Sequence, residues 1–362
     1  MAMKPSQQLS LGNSQRLAVM GRMRMADWIE MPEREFAREI EKLEKDPLFK
    51  KLHFGDGRIP GAFRRQRWPG GKLSGSFYEI DERTTAGAGE RVGVEEFAAT
   101  RGPAMAAIKR MGQKDFERYF LHGEDALTLE EIGLRTGLKN EEILGIHDLV
   151  VELGARAEFE GKTAVPSASP GRQAACLAQI SLAEDGPSFE FYAPYWARGL
   201  YQVRHDLLDR WKNGGLTPQE RKHLPALLKR LETINLRQST LFRLLETIAR
   251  VQADHIKSGL AEDIRPISLR QLAKRLDLAP STVSRAFAHR SVRLPTGVEL
   301  PLIAFVPGRR RVLRELLGQW LAQSIAVTDA ALVDRLRAER GISISRRTVN
   351  AVRHELKAVK PR

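Results

Sequence analysis

Two adjacent arginines at the start of a predicted helix, Arg346 and Arg347, have the chemistry to read a base pair. Ser345 in front of them is a good N-cap, so both fall in the first turn, where a DNA-reading helix usually presents its base-contacting side chains. An arginine can meet guanine O6 and N7 with two hydrogen bonds at once, worth about 1 to 3 kcal/mol of discrimination. Val349, Val352 and Leu356 recur at helical spacing and supply an inward face, which leaves Arg346, Arg347, Asn350 and Arg353 outside. Upstream, Leu332, Val333 and Leu336 give the inward face of a preceding helix that starts near Thr328 and stops at Gly341. The candidate DNA contacts of this unit are therefore Ser345, Arg346, Arg347, Asn350 and Arg353.

A second candidate lies just before it. A helix-turn-helix needs a small residue where the helices cross, a turn residue tolerant of positive φ, and an apolar residue on the second helix. Ala273, Asp277 and Val283 supply these, with Ser268 as cap of the first helix and Pro280 just before a second helix beginning at Ser281. The residues offered to phosphates or bases are Ser281, Thr282, Ser284, Arg285, His289 and Arg290. Gly133, Gly137 and Ile143 repeat the spacing earlier in the chain. There the second helix carries Glu141, Glu142, Asp148 and Glu152, which repel phosphate, so that unit is expected to pack against protein.

The charge distribution agrees with this ordering. The 362 residues carry 59 Lys plus Arg against 45 Asp plus Glu, a formal charge of +14, which favours a polyanionic partner. Residues 301–362 hold 13 basic and 5 acidic side chains, whereas residues 128–160 hold 3 and 8, so a DNA-facing surface belongs at the C-terminal end. The single Cys176 rules out an intramolecular disulfide and a multi-cysteine metal site. No apolar run reaches the roughly 18 residues of a membrane span and no signal-peptide core is evident, so the expected setting is the cytoplasm, without a membrane. A recombinase or nuclease would need paired carboxylates or a nucleophile beside a base. The acidic residues fall on charged helix faces and the 8 His show no ligand spacing, so neither an enzyme, a cofactor nor a metal is expected.

Most of the chain has helical periodicity, and no convincing run of alternating strand residues stands out. The expected fold is mainly α, a multi-domain helical protein with helix-turn-helix units and a flexible N-terminal region. Between Leu17 and Phe49 the spacing predicts one or two amphipathic helices, broken near Met31 and Pro32 and ending by Asp46 and Pro47. Residues 55–75, rich in Gly and Pro and basic after Asp56, read as a solvated linker. Further interruptions are expected at 161–171, 185–194 and 213–215.

Several of these segments, in this order, resemble the sigma-54 family of bacterial RNA polymerase factors. Arg346, Arg347, Thr348, Val349 and Arg353 match the family's box Ala-Arg-Arg-Thr-Val-Ala-Lys-Tyr-Arg-Glu at five positions of ten. Ser281 to Arg285, followed by Pro295 to Val298 and Phe305, is similar to its helix-turn-helix and the stretch after it. Residues 228–243, continuing through Ile248, Gln252, Gly259 and Arg265 to Ile267, resemble the end of its core-binding region. Residues 7–49, including Gln15 to Ala18 and Asp46 to Leu48, resemble its N-terminal regulatory segment, whereas 50–115 and 183–215 match poorly. The resemblance implies a promoter-specificity subunit that joins core RNA polymerase and recognises promoter DNA elements named for positions near −24 and −12. Arg346 and Arg347 then sit where the family reads the guanine pair of the upstream element, and the helix from Ser281 lies toward the downstream one. In the family an AAA+ ATPase activator releases the N-terminal block; this chain holds no Gly-x-x-x-x-Gly-Lys-Ser/Thr loop of its own.

The implied layout is an N-terminal regulatory region at 1–50, a linker at 51–90, a polymerase-binding region at 91–260, a helix-turn-helix region at 261–310 and a promoter-reading domain at 311–362. Ala351, Val352 and His354 replace the family's usual Lys, Tyr and Glu, and basic residues at 58–72 stand where the family is acidic. Two functions remain open on the sequence: an initiation factor, or a sigma-54-derived DNA-binding regulator that no longer recruits polymerase.

Overall fold

The computed structural model describes residues 26–75, 94–122, 127–156, 174–323 and 328–359. The expected regulatory residues before 26 lie outside them, as do 76–93 and the interruption at 161–171. The described residues are predominantly helical, as the periodicity predicts.

After a helical stretch at 26–30, helix α1 spans Glu33–Glu44 and α2 spans Pro47–Phe54. The break at Met31 and Pro32 falls where expected. Asp46 and Pro47 do more than end a helix. The Asp46 side chain accepts from Leu48 N at 2.8 Å and Pro47 takes the first helical position, where its missing N–H is harmless, so the chain restarts as α2.

Residues 55–75 are not a linker. Strand β1, Phe63–Gln66, carries Phe63 and Arg65 into the interior, and Trp68 is buried between it and β2, Gly71–Leu73. Trp68 stacks on Phe242 with ring centroids 4.2 Å apart and donates its indole N–H to Trp196 O at 2.9 Å. The Gly and Pro content sets the turns between short strands, which from composition alone resembles a spacer.

Helix α3, Val94–Met111, runs into α4, Gln113–Phe116, and a π-helical turn at Glu117–His122. Helices α5, Leu129–Thr136, and α6, Asn140–Arg156, form the acidic unit. Thr128 and Glu131 close a capping box, Gly137 ends α5 at φ 71°, and Ile143 is fully buried. A Cβ on Gly133 would approach Leu138 O to 2.9 Å, which is why that crossing requires glycine.

A five-stranded sheet follows, in the order β2-β4-β3-β6-β7, built from segments in which the sequence shows no convincing alternating run. Strands β3, Ala175–Ala183, and β4, Gly186–Phe191, form an antiparallel hairpin that pairs Ala183 with Gly186. Ala178 and Gln179 weaken the strand signal of β3, and Pro187 does the same for β4, so non-local packing decides the outcome. Short helix α7, Pro194–Ala197, leads to β5, Leu200–Val203, which pairs with β1. Helix α8, His205–Arg210, then ends in a π-helical turn, Trp211–Gly215.

Helix α9, Pro218–Val251, has 34 residues and a capping box of Thr217 with Glu220. Helix α10, Ala253–Ser258, stops at Gly259 with φ 70°. Helices α11, Leu269–Leu276, and α12, Pro280–Phe287, make the second helix-turn-helix, and β6, Arg290–Arg293, and β7, Glu299–Pro301, return to the sheet. Helices α13, Arg309–Gln323, α14, Asp329–Arg340, and α15, Arg346–Val359, complete the chain. One apolar core runs from Ile29 to Val306, uniting four of the five regions in the expected layout, and a second runs from Val312 to Val352.

Two buried carboxylates at opposite ends of α1 fasten the N-terminal helix to this core. Glu44 receives Arg65 Nη2 at 2.5 Å, Arg198 Nη1 at 2.8 Å and the Tyr201 hydroxyl at 2.7 Å. Glu33 receives Arg237 and Arg290, each at 2.7 Å, and the Tyr195 hydroxyl at 2.9 Å. Both arginines also donate to Met31 O at 2.8 Å, and Arg237 lies 3.7 Å over the Phe36 ring. Burial alone would raise the Glu33 carboxyl. The charges and hydrogen bonds of Arg237 and Arg290 outweigh it and hold the pKa at about 2, against an ordinary 4.5. A depressed folded-state pKa stabilises the fold fully above the ordinary value, and that contribution drains away as pH falls from 4.5 toward about 2. Glu33→Gln leaves two buried guanidinium groups uncompensated, and we expect it to cost about 3 to 5 kcal/mol in urea unfolding at neutral pH. A change below about 0.5 kcal/mol would show that the cluster does not fasten the helix.

Candidate nucleic-acid interface

Helix α15 starts as the sequence predicts. Ser345 Oγ accepts from Thr348 N at 3.3 Å and contacts the Thr348 hydroxyl at 3.0 Å. Val349 and Val352 are buried against Val312, Leu316, Trp320, Leu332 and Leu336, with Val333 and Leu356 partly buried beside them. This apolar seam turns Arg346, Arg347, Asn350, Ala351 and His354 outward.

Charged contacts grip the helix on two flanks, one through a carboxylate of α14 and one through its own Glu355. Asp329, the first residue of α14, receives Asn350 Nδ2 and Arg353 Nη1, both at 2.9 Å. Asn350 first and then Arg353 hold the Asp329 carboxyl below its ordinary value. On the α13 side, Glu355 takes Arg314 at 2.8 Å and also Arg310. Arg309 donates to Ser343 O, in the loop that feeds the helix. Neither Asp329 nor Glu355 was legible as a positioning residue, because each partner lies on another helix.

The five residues expected here thus divide. Arg346 and Arg347 are exposed and make no hydrogen bond or ion pair among the described residues, so their five-donor forks are available to an incoming acceptor. Ser345 is occupied as a cap. Asn350 and Arg353 spend donors on Asp329, and Arg353 is only 22% exposed, so they brace the helix in this conformation.

The second unit also folds as expected at its turn. Ser268 and Gln271 close a capping box, Asp277 adopts φ 54°, and Ala273 and Val283 are buried at the crossing. The αL turn residue is an aspartate, one of the few non-glycine types that tolerates this region. Ser281, Ser284 and Arg285 are exposed on α12, and Thr282 is half-buried.

The end of the unit differs from expectation. Helix α12 stops at Phe287, so His289 lies beyond it at φ 59°, half-buried, and Arg290 begins β6. Arg290 is 1% exposed and cannot reach DNA in this conformation. Its guanidinium binds Glu33 and donates to Ala286 O at 2.9 Å, joining the C-terminal end of α12 to the N-terminal segment. In sequence it is one more basic residue behind a reading helix; only the fold, which brings Glu33 from 257 residues away, reveals its partner. Arg285 is exposed but faces Glu30 at 3.5 Å.

Among the described residues no cluster of three or more His, Cys, Asp or Glu side chains could hold a metal ion, and no helix is long and apolar enough to cross a membrane. Burial pushes the Cys176 thiol up to about 12, assisted by the nearby Glu299 charge, so it is not a nucleophile at neutral pH.

Comparison with known proteins bears directly on this region. Residues 219–361 match the family described as the Sigma-54 DNA binding domain. The chain is 34% identical over 134 residues to an RNA polymerase sigma-54 factor of Cereibacter sphaeroides, covering 33% of this chain and 30% of that one. It is 32% identical over 143 residues to the RNA polymerase sigma-54 factor of Xanthomonas euvesicatoria, covering 36% and 29%. The matched part therefore spans under a third of the length of these relatives. The crystal structure of Aquifex aeolicus sigmaN bound to promoter DNA aligns with 77% of this chain and 97% of that one, at 19% identity and a TM-score of 0.35. These sequence matches cover the second helix-turn-helix and the exposed arginine pair: residues 219–361 belong to the sigma-54 DNA-binding domain family.

Proposed function

We propose that this protein is a sigma-54-type transcription initiation factor that joins core RNA polymerase and directs it to promoters with −24 and −12 elements. One observation carries the DNA-reading part: Arg346 and Arg347 stand exposed and unpartnered in the first turn of a helix whose flanks are braced by Asp329 and Glu355. Bracing fixes the backbone that carries the two guanidinium groups, so binding has only the side chains left to order, which favours bidentate recognition of a guanine pair. Ser281, Thr282, Ser284 and Arg285 on α12 are the candidates for the downstream element. Ala351, standing for the family's Lys, leaves the exposed face of the reading helix one cation short, His354 stands there for its Glu, and Val352, standing for its Tyr, is buried in the seam.

Dependence on an AAA+ activator and ATP is part of the same reading. Residues 28–33 lie against both α9 and the end of α12 through Arg237, Arg290 and Arg285. Such a contact supports a factor whose N-terminal segment must be moved by work done elsewhere. The acidic unit of α5 and α6, within residues 91–260, repels phosphate and is the candidate face for a protein partner such as core polymerase.

In binding titrations, Arg347→Ala should lose preference for a duplex with the guanine pair over one without it, while weak salt-sensitive binding to random duplex remains. Its unfolding midpoint should be unchanged, since the side chain is exposed and unpartnered. Equal loss on both duplexes would contradict base reading. Purified protein mixed with core polymerase should co-elute in size-exclusion chromatography. Separate elution would remove the initiation-factor reading and leave a DNA-binding regulator of the same descent.

A further inference from the structure

The passage between the two helix-turn-helix units is short and clasped. A 3-10 turn at Leu302–Phe305 closes the larger core, and only Val306, Pro307 and Gly308 separate it from α13. Such a tether has little freedom, and proline removes part of what remains. Two further contacts span the same gap from different parts of the chain. Arg340, the last residue of α14, pairs with Asp263 at 3.0 Å, with the side chains 29% and 24% exposed. The Ser258 hydroxyl and then Arg340 hold the Asp263 carboxyl below its ordinary value. Ile264, the next residue, belongs to the passage between α10 and α11 yet packs against the smaller core.

Beside this clasp lies a cleft of about 880 Å³, whose lining includes Asp263, Arg265, Gln271, Arg309, Glu339 and Arg340. Among the described residues the two units meet through this ion pair, the Ile264 plug, the packing of α13 on the turn at Ala261–Asp263 and the three-residue tether, with an open cleft alongside.

We propose that Asp263, Ile264 and Arg340 act as a ruler that sets the spacing between the two DNA elements the chain engages. The proposal rests on the reading that α12 and α15 each contact DNA. Adding one base pair moves the elements apart by roughly 3.4 Å and rotates one relative to the other by about 35°. Freely tethered units would follow that change, whereas clasped units cannot satisfy both elements at once. Simultaneous engagement of two linked sites typically gains roughly 10² to 10⁴ over either alone, and the gain vanishes when geometry forbids it.

The test uses the full chain and fluorescence-labelled duplexes carrying the guanine-pair element alone, the downstream element alone, or both at spacings from two base pairs shorter to two longer. We expect the two-element gain, roughly 10² to 10⁴, at one spacing, with a fall to single-element affinity one or two base pairs away. Arg340→Ala, and separately a Gly-Ser pair inserted after Gly308, should bind each single element as the parent does but flatten the spacing profile. The charge swap of Asp263→Arg with Arg340→Asp should restore the parent profile. A parent protein indifferent to spacing would overturn the proposal, as would variants that keep the parent's sharp profile. In both of those cases single-element binding above random duplex leaves the DNA-reading helices standing. Absence of any single-element preference would sink that underlying reading and the ruler with it.

Discussion

Removing a carboxylate from water costs several kcal/mol unless opposite charge and hydrogen-bond donors come with it, and Glu33 is buried only because Arg237 and Arg290 are buried beside it. The three side chains come from α1, the middle of α9 and the first residue of β6, so their meeting fixes how the N-terminal helix, the long helix and the second helix-turn-helix are arranged. The desolvation penalty makes the arrangement close to all-or-none: removing one partner leaves charge in an apolar surround. Glu44 repeats the device at the other end of α1 with Arg65 and Arg198. A single 12-residue helix is thereby held at both ends to parts of the chain that sequence reading assigns to separate regions.

The smaller core follows a different logic. Its interior is apolar, and its charged contacts lie at the surface, where they orient and contribute little stability. Asp329 and Glu355 hold the flanks of α15 while Val349 and Val352 hold its base, so the direction of the first turn is set by packing and its freedom to slide is limited by the carboxylates. Among the described arginines of this unit, Arg337, Arg346 and Arg347 make no hydrogen bond or ion pair through their side chains, and the last two sit side by side in the first turn of α15. The two cores thus differ: burial of charge fixes the arrangement of the larger one, and the smaller one leaves charge exposed at the start of α15.

Features governed by neighbouring residues were legible from the sequence. The caps at Ser268, Thr328 and Ser345, the αL positions at Gly137, Asp277 and Gly341, and the apolar seam of α15 all depend on side chains within one or two turns. What was missed depends on distant partners. Trp68 and Arg65 looked like decorations of a Gly- and Pro-rich spacer, because the sheet and the aromatic cluster that bury them come from residues 186–242. Strand β3 contains alanine and glutamine that favour helix as readily as strand, and its pairing with β4 and β6 overrides that preference. Arg290 shares residue type and neighbourhood with a DNA contact, and only the position of Glu33 distinguishes a buried ion pair from a phosphate ligand.

On the proposed function, this chain is a polymerase factor whose DNA-reading helices are held back by its own N-terminal segment. Transcription by purified core polymerase with this protein, on a promoter carrying both elements, tests it most directly when run with and without an AAA+ activator and ATP. The predicted result is a transcript only when activator and ATP are both present. A transcript without them would contradict the restraint by the N-terminal segment, and no transcript in any combination, with polymerase and activator shown active on a control factor, would contradict the claim itself.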